Sequence, residues 1–216
     1  MLVRWPVPIV LSPGAFVPLG VFALIFVAFS GGSKPSVLAA AALLGGVGGI
    51  VSLIVHELGH VSVAKRLAGV RPKKVSVMSL GAAAHLEGSY RNGREQARIA
   101  LGGPGASFAF ALALAVPIFL PAPTGLKVGA LGLALLNLGI GALSLLPIHP
   151  LDGHKLLRSE ERARRIIKRV GTGLLAVDLS FAVLLLAERP VIGATVIAVA
   201  AVAYGQKRLV RAPRTS

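Results

Sequence analysis

The 216-residue sequence contains no cysteine and few charged or aromatic residues. The absence of cysteine excludes disulfides and thiolate metal sites, and it leaves the redox compartment open. Only 14% of the residues are charged and 5% are aromatic, whereas 55% are hydrophobic. A soluble domain of this length is usually about one quarter charged. With a mean hydropathy of +0.79, the composition is typical of a multi-pass membrane protein.

Apolar stretches long enough to cross a bilayer recur along the chain. About 20 helical residues span the hydrocarbon layer, and we read six spans, of which the last two are shorter. They cover about 13–31, 36–68, 97–120, 126–148, 170–187 and 191–206. The apolar run of the first is too long for the core of a signal peptide. The predicted fold class is an all-α polytopic membrane protein, a bundle of about six transmembrane helices with a short strand-forming, membrane-associated segment after the second. It is predicted to form one domain over 1–216.

The formal charge of +15 is distributed unevenly. With a cytoplasmic N-terminus, the inside segments are 1–12, 65–98, 154–169 and 207–216. They hold all 23 lysines and arginines except Lys34, Lys127 and Arg189. Because lysine and arginine accumulate in cytoplasmic loops, we predict a multi-pass protein of the cell membrane with both termini cytoplasmic. Nucleic acid, another common partner of basic proteins, is not expected, because no aromatic residues are interleaved with the basic runs.

The segment VSLIVHELGHVSVAKRLAG, residues 51–69, places His56, Glu57 and His60 inside an otherwise apolar helix. Residues i and i+4 share a helix face, so the two imidazoles can bind one metal ion. Glu57 lies beside that face, where it can act on metal-bound water as a general base. The alternative is a pair of satisfied core histidines. Three polar groups within a membrane span are costly and functional by default, which favours the metal site.

A catalytic zinc site needs a third protein ligand. The extended pattern HExxHxxGxxH fails, because Val63 and Arg66 occupy its later positions. Glu87 and Glu95 are alternatives by analogy with thermolysin-like enzymes, but both fall in a basic loop. Asp152, in LLPIHPLDGHKLLR after the fourth span, is the stronger candidate because it follows on the same predicted membrane side as HELGH. Zn²⁺ with two carboxylates and two neutral histidines has no net charge, which a low-dielectric site tolerates.

Four segments, in order, resemble the site-2 protease family of intramembrane zinc metalloproteases. HELGH matches the first motif, and VRPKKVSVMSLGAAAHLEG is similar to the strand-forming segment that follows it. REQARIALGGPGASFAF resembles the Gly-Pro motif, and SLLPIHPLDGHKLL the LDG motif. No stretch outside the spans is long enough for a PDZ or CBS domain, so a compact form of the family is expected.

The resemblance implies a set of site residues and a reaction. His56, His60 and Asp152 would bind one Zn²⁺ per chain, and Glu57 would be the catalytic base. The reaction implied is hydrolysis of peptide bonds in transmembrane or membrane-associated protein substrates, in or near the lipid bilayer, as in regulated intramembrane proteolysis.

Two positions depart from the family pattern. Asparagine is common eight residues before the aspartate ligand and three residues after the proline of the Gly-Pro motif, where this chain has Ser144 and Ser107. The resemblance implies contact with the substrate backbone or the developing oxyanion there. Asn137 can compensate for these replacements, or it can form an interhelical hydrogen bond.

Two other functions stay open: a catalytically weak or silent homologue that binds membrane helices, and a metal-ion transporter that uses the same ligands.

The segment VSVMSL, residues 75–80, alternates as a β-strand does. Two readings of it stay open. An unpaired strand edge there can hold an extended substrate by β-augmentation, or the segment can be one arm of a simple re-entrant hairpin.

Overall fold

The structure, a computed structural model, describes residues 7–31, 34–67, 69–146 and 151–156. The chain divides into two compact units, Met1–Gly141 and Ala142–Ser216. The predicted spans at 170–187 and 191–206 lie outside the described residues. The count of six spans and the single domain over 1–216 therefore stay predictions.

The first four predicted spans coincide with helices. They are α1 (Phe16–Phe29), α2 (Pro35–Ala64), α3 (Gly93–Ala115) and α4 (Thr124–Ser144). Short 3-10 turns, Pro13–Ala15 and Val116–Phe119, precede α1 and follow α3. Among the described residues, three helices are long and apolar enough to cross a membrane, namely α2, α3 with its 3-10 extension, and α4, while α1 is shorter. The predicted ends at 68 and 148 lie beyond the helices, because α2 and α4 end at Ala64 and Ser144.

Most of the apolar surface of these helices faces outward. In the most apolar window of α2, only 22% of the residues are buried inside the protein. On α1, Phe16 and Leu24 are more than two-thirds exposed. Exposed apolar surface of this extent is disfavoured in water and marks contact with a membrane or partner, so the exposure agrees with the composition.

The buried stripe of α2 consists of small and polar residues. Its members recur every three or four positions, as one helix face requires: Gly45, Gly49, Ser52, His56, Gly59, His60 and Ala64. Without side chains to separate the helices, α2 approaches its neighbours closely. A Cβ at Gly49 would contact Phe22 of α1, and a Cβ at Gly59 would lie 2.6 Å from Ala106 of α3. The two histidines therefore face α3 at short range.

A three-stranded sheet accompanies the helices, which refines the predicted all-α class. Its strands are β1 (Ile9–Leu11), β2 (Val70–Met78) and β3 (Gly81–Gly88), and β2 is the central strand. β2 and β3 form an antiparallel hairpin, whereas β1 pairs with β2 in parallel. Of the two readings left open for 75–80, the structure has a hairpin, and the reading as an unpaired edge is wrong at Val75 and Val77, because both residues pair on both sides. β1 was not predicted.

The sheet packs against the C-terminal end of α2. Val61 of α2 and Val75 of β2 are fully buried in one apolar cluster, with Leu58 and Ala84 packed against them. A second cluster joins Ala64 and the start of β2 to Ile99 of α3. The last turns of α2 are thus held between α3 and the hairpin, and these are the turns that carry His56 and His60.

Candidate metal centre

His56 and His60 lie one turn apart on α2, and both are buried, each 5% exposed. Their ring centroids are 5.0 Å apart and the ring planes are inclined by 80°. The rings therefore meet edge to face. Residues four apart on a helix are neighbours on one face, which explains why the two rings are close. The geometry keeps the two imidazoles side by side, as the sequence predicted.

Each imidazole is anchored through Nδ1 to α3. His56 Nδ1 lies 2.9 Å from Ser107 Oγ, and His60 Nδ1 lies 2.6 Å from the carbonyl oxygen of Ile99. A carbonyl only accepts, so the proton of His60 is on Nδ1, and the Gly103 N–H at 3.3 Å from the same atom is then a weak contact. Metal-binding histidines characteristically donate their other ring N–H to such a partner. This arrangement leaves Nε2 of each ring as the candidate ligand atom.

Gly103 of α3 faces both Nε2 atoms. A Cβ at this position would contact His60 Nε2 and lie 2.6 Å from His56 Nε2. The missing side chain lets α3 pack directly against both imidazoles, whose Nε2 atoms lie close to one point on this helix. Two imidazole nitrogens with a carboxylate nearby fit a zinc ion, for which histidine nitrogen and carboxylate oxygen are preferred ligands.

Glu57 completes a three-residue group. A carboxylate oxygen of Glu57 and one nitrogen of each histidine lie within 4.8 Å of one another. Glu57 Oε2 also accepts a hydrogen bond of 2.7 Å from the backbone N–H of Ala84 in β3. Among the described residues, His56, Glu57 and His60 form the one group of three His, Asp or Glu side chains that could hold a metal ion. The carboxylate is therefore placed beside the histidine pair, held by the sheet.

Glu87 and Glu95, the alternative ligands that the sequence placed in a basic loop, lie on β3 and α3 and have other contacts. Glu87 lies on β3, is 64% exposed, and forms an ion pair of 3.0 Å with Lys73. Glu95 caps the start of α3: its Oε2 accepts from the N–H of Arg91, and its own N–H donates to the side chain of Asn92. Reciprocal contacts of this kind are typical of helix N-termini. Neither residue belongs to the histidine group.

Asn137 of α4 is fully buried and hydrogen-bonded across to α2. Its Nδ2 donates to Ser52 Oγ and to the carbonyl of Leu133, both at 2.8 Å. Ser52 lies one turn before His56 and donates in turn to the carbonyl of Gly48. The interhelical hydrogen bond expected for Asn137 is therefore present. Because both amide hydrogens are engaged, a substrate contact can use only Oδ1, which has no hydrogen-bond partner among the described residues.

Asp152 and Ser144 belong to the second unit, Ala142–Ser216. Asp152 is the first residue of the short helix α5 (Asp152–Leu156), is 7% exposed, and has Lys155 Nζ 2.8 Å from Oδ1. The next residue, Gly153, packs on main chain: a Cβ there would lie 2.5 Å from the carbonyl oxygen of Leu146. Ser144 is also buried. The role of Asp152 as third ligand and that of Ser144 in substrate binding stay predictions.

Three contributors to the site were not identified from the sequence. The close approach of Gly103 to both histidines was not predicted, although its place in the Gly-Pro motif was a signal. Ser107 had been considered for substrate contact, and in the structure it holds His56; its substrate role stays a prediction. The backbone N–H of Ala84 leaves no signal in the sequence, because any residue except proline supplies one.

The fold and the site together combine helices apolar enough to cross a membrane with an HExxH group arranged to hold a metal ion, and comparisons with known proteins agree. The model of peptidase family M50 matches residues 42–129, a stretch that contains HELGH and the Gly-Pro motif and ends before Asp152. A site-2 protease from Methanocaldococcus jannaschii of known structure is similar in fold, with a TM-score of 0.52 and 24% identity over 100% of this chain and 98% of that one.

Curated relatives carry names of the same kind. The zinc metalloprotease MJ0392 of M. jannaschii is 31% identical over 142 residues, 62% of this chain and 41% of the relative. The putative zinc metalloprotease Rip3 of Mycobacterium tuberculosis is 37% identical over 124 residues, 54% of this chain and 31% of the relative. The chain thus spans less than half the length of these relatives. The resemblance of its motifs to the site-2 protease family is confirmed.

Proposed function

We propose that this chain is an intramembrane zinc metalloprotease that hydrolyses peptide bonds of transmembrane or membrane-associated protein substrates. The observation that carries the proposal is the group formed by the buried His56 and His60 with Glu57, in which one nitrogen of each ring and a carboxylate oxygen lie within 4.8 Å of one another. The match to the family model and the names of the relatives support the same chemistry.

The chain's own residues supply the ligands. His56 and His60 would hold the metal through Nε2, and their Nδ1 contacts with α3 fix the ring orientations. In this proposal Asp152 is the third ligand, since a catalytic zinc site uses three protein ligands and an open position. Zinc bound there supplies a Lewis acid that polarises the scissile carbonyl and acidifies water.

Glu57 is the general base of the proposed reaction. Its carboxylate takes a proton from the attacking water and then delivers it to the leaving amine, which balances the hydrolysis. The burial of the histidine pair limits water around the site, so these interactions act in a medium of low dielectric constant, where they are stronger than in water. Ser107, Ser144 and Asn137 are proposed to assist the substrate backbone or the developing oxyanion.

The proposed orientation places the metal toward the cytoplasm. His60 lies one turn before the end of α2 at Ala64, and the following segment, 65–98, carries much of the basic charge. Because basic segments favour the cytoplasmic side, we propose that both termini are cytoplasmic, in the cell membrane, and that the substrate's scissile bond is cleaved near that face. The lipid bilayer is the environment of the proposed reaction.

Glu57→Gln in the purified protein tests the function. Glutamine has nearly the same size and leaves the metal ligands in place, so we expect about one zinc per chain to be retained. Cleavage of a model transmembrane peptide should fall at least a few hundred-fold, in line with the loss of a general base. Undiminished cleavage by Glu57→Gln would remove Glu57 from this role, and a wild type that binds zinc and cleaves no peptide would favour the silent homologue.

A further inference from the structure

The carboxylate of Glu57 has one hydrogen bond among the described residues, and it comes from the main chain of the sheet. Ala84 of β3 donates its N–H to Oε2 at 2.7 Å. A hydrogen bond to an ionised carboxylate is shorter and stronger than one between neutral groups. A glutamate side chain has three rotatable bonds, so without such a partner its head would sample several positions.

The register of the sheet explains why this N–H points toward α2. Val75 of β2 lies opposite Ala84, and the N–H of Val75 donates to Pro8, on the side of β1. In an antiparallel ladder, opposite residues that exchange hydrogen bonds alternate with opposite residues that do not. Because the N–H of Val75 is directed to β1, Val75 and Ala84 form a pair of the second kind. The polar main-chain groups of Ala84 are therefore directed away from β2, and the edge of β3 presents them to α2.

We propose that the backbone amide of Ala84 is a positioning group for the catalytic base. By fixing Oε2, the amide holds the Glu57 carboxylate in place beside the histidines. In this position a carboxylate oxygen lies within 4.8 Å of one nitrogen of each imidazole. The carboxylate then needs no reorientation before it takes the proton. This inference rests on the proposed function, because it assigns a support to the base of that reaction.

Ala84→Pro removes this donor with little other change. Proline lacks the N–H and is tolerated on an edge strand when that N–H points away from the sheet. Ala82→Pro is the matched control, because Ala82 lies opposite Val77, two residues from Ala84 on the same edge, and makes no hydrogen bond with Glu57. A second variant, with L-lactic acid at position 84 introduced by nonsense suppression, replaces the amide by an ester without a proline ring.

We expect the position-84 variants to bind zinc as the wild type does and to lower kcat about ten- to a hundred-fold, since small displacements of a catalytic group have effects of that size. KM should change less than about two-fold, because the variants leave unchanged the contacts that bind the substrate and the transition state equally. In a Glu57→Gln background, removal of the amide should cause no further loss. Ala82→Pro should match the wild type in all three measurements.

A second readout does not depend on activity. The infrared carboxylate stretch of Glu57, identified in metal-free protein as the band missing from Glu57→Gln, should shift in both position-84 variants and stay in place in Ala82→Pro. If the ester variant keeps the wild-type kcat and the wild-type band, the inference is overturned while the proposed function stands. If Glu57→Gln itself retains cleavage, Glu57 is not the base and the inference is overturned with that role. If the wild type binds zinc and cleaves no peptide, the proposed function fails, and the infrared band then tests the hydrogen bond by itself.

Discussion

Gly103→Ala adds one methyl group at the point where the histidine nitrogens converge. The new Cβ would contact His60 Nε2 and lie 2.6 Å from His56 Nε2, whereas ordinary van der Waals contact begins at 3.4 Å. The His56 ring would have to move by roughly 0.8 Å, several times the tolerance of about 0.2 Å in metal–ligand distances.

Zinc affinity should therefore fall at least about 100-fold, the upper end of the effect of losing an outer partner of a ligand. Alanine in place of glycine in a helix interior is favourable by roughly 1 kcal/mol, so the helix itself is not weakened by the change. Competition with a chelator measures the affinity, and circular dichroism measures the helix content of the same samples.

Gly105→Ala is the control for this experiment. Gly105 lies on the same helix, two residues further on, and a Cβ there would have no heavy atom within 4 Å. This variant should bind zinc with wild-type affinity. Wild-type affinity in Gly103→Ala as well would refute the assignment of Nε2 as the ligand atom of both rings.

Three further changes test the rest of the site and the topology. Asp152→Ala should lose most of its zinc after mild chelation, with Asp152→Asn intermediate and Glu87→Ala unaffected; retention in the first with loss in the last would favour a thermolysin-like ligand set. Ser107→Ala should lower zinc affinity about 10- to 100-fold, as removal of a partner of a metal-binding histidine does, and an unchanged chelator titration would contradict this. Cysteine at Lys127 should react with an impermeant thiol reagent on intact cells, and cysteine at Arg94 only after permeabilisation, with the opposite pattern reversing the orientation.

Helical periodicity made the main features of the site predictable. Residues four apart on a helix share a face in every fold, so His56 and His60 could be paired without a structure. Long apolar runs likewise indicated the first four helices, with errors only at their ends. Main-chain geometry within a helix is local, and local rules are what a sequence expresses directly.

Contacts between segments that are distant in the chain were harder to predict from the sequence. β1 has three residues and pairs with a strand more than sixty residues away, and nothing in IVL distinguishes it from other short apolar runs. The position of Gly103 opposite the histidines depends on how α3 docks on α2, which is a tertiary property. Asp152 and the last two predicted spans remain predictions for the same reason, because only an arrangement of the whole chain can test them.

The hydrogen bond from Ala84 to Glu57 has a consequence for how this protein changes during evolution. A role carried by a main-chain amide places almost no demand on the side chain, so position 84 is free to drift among small residues while the contact persists. Only proline should be excluded there, by the loss of its N–H. Relatives that keep the hydrogen bond from this amide to the base should therefore differ in residue type at this position. A comparison based on invariant side chains would overlook the role of the amide.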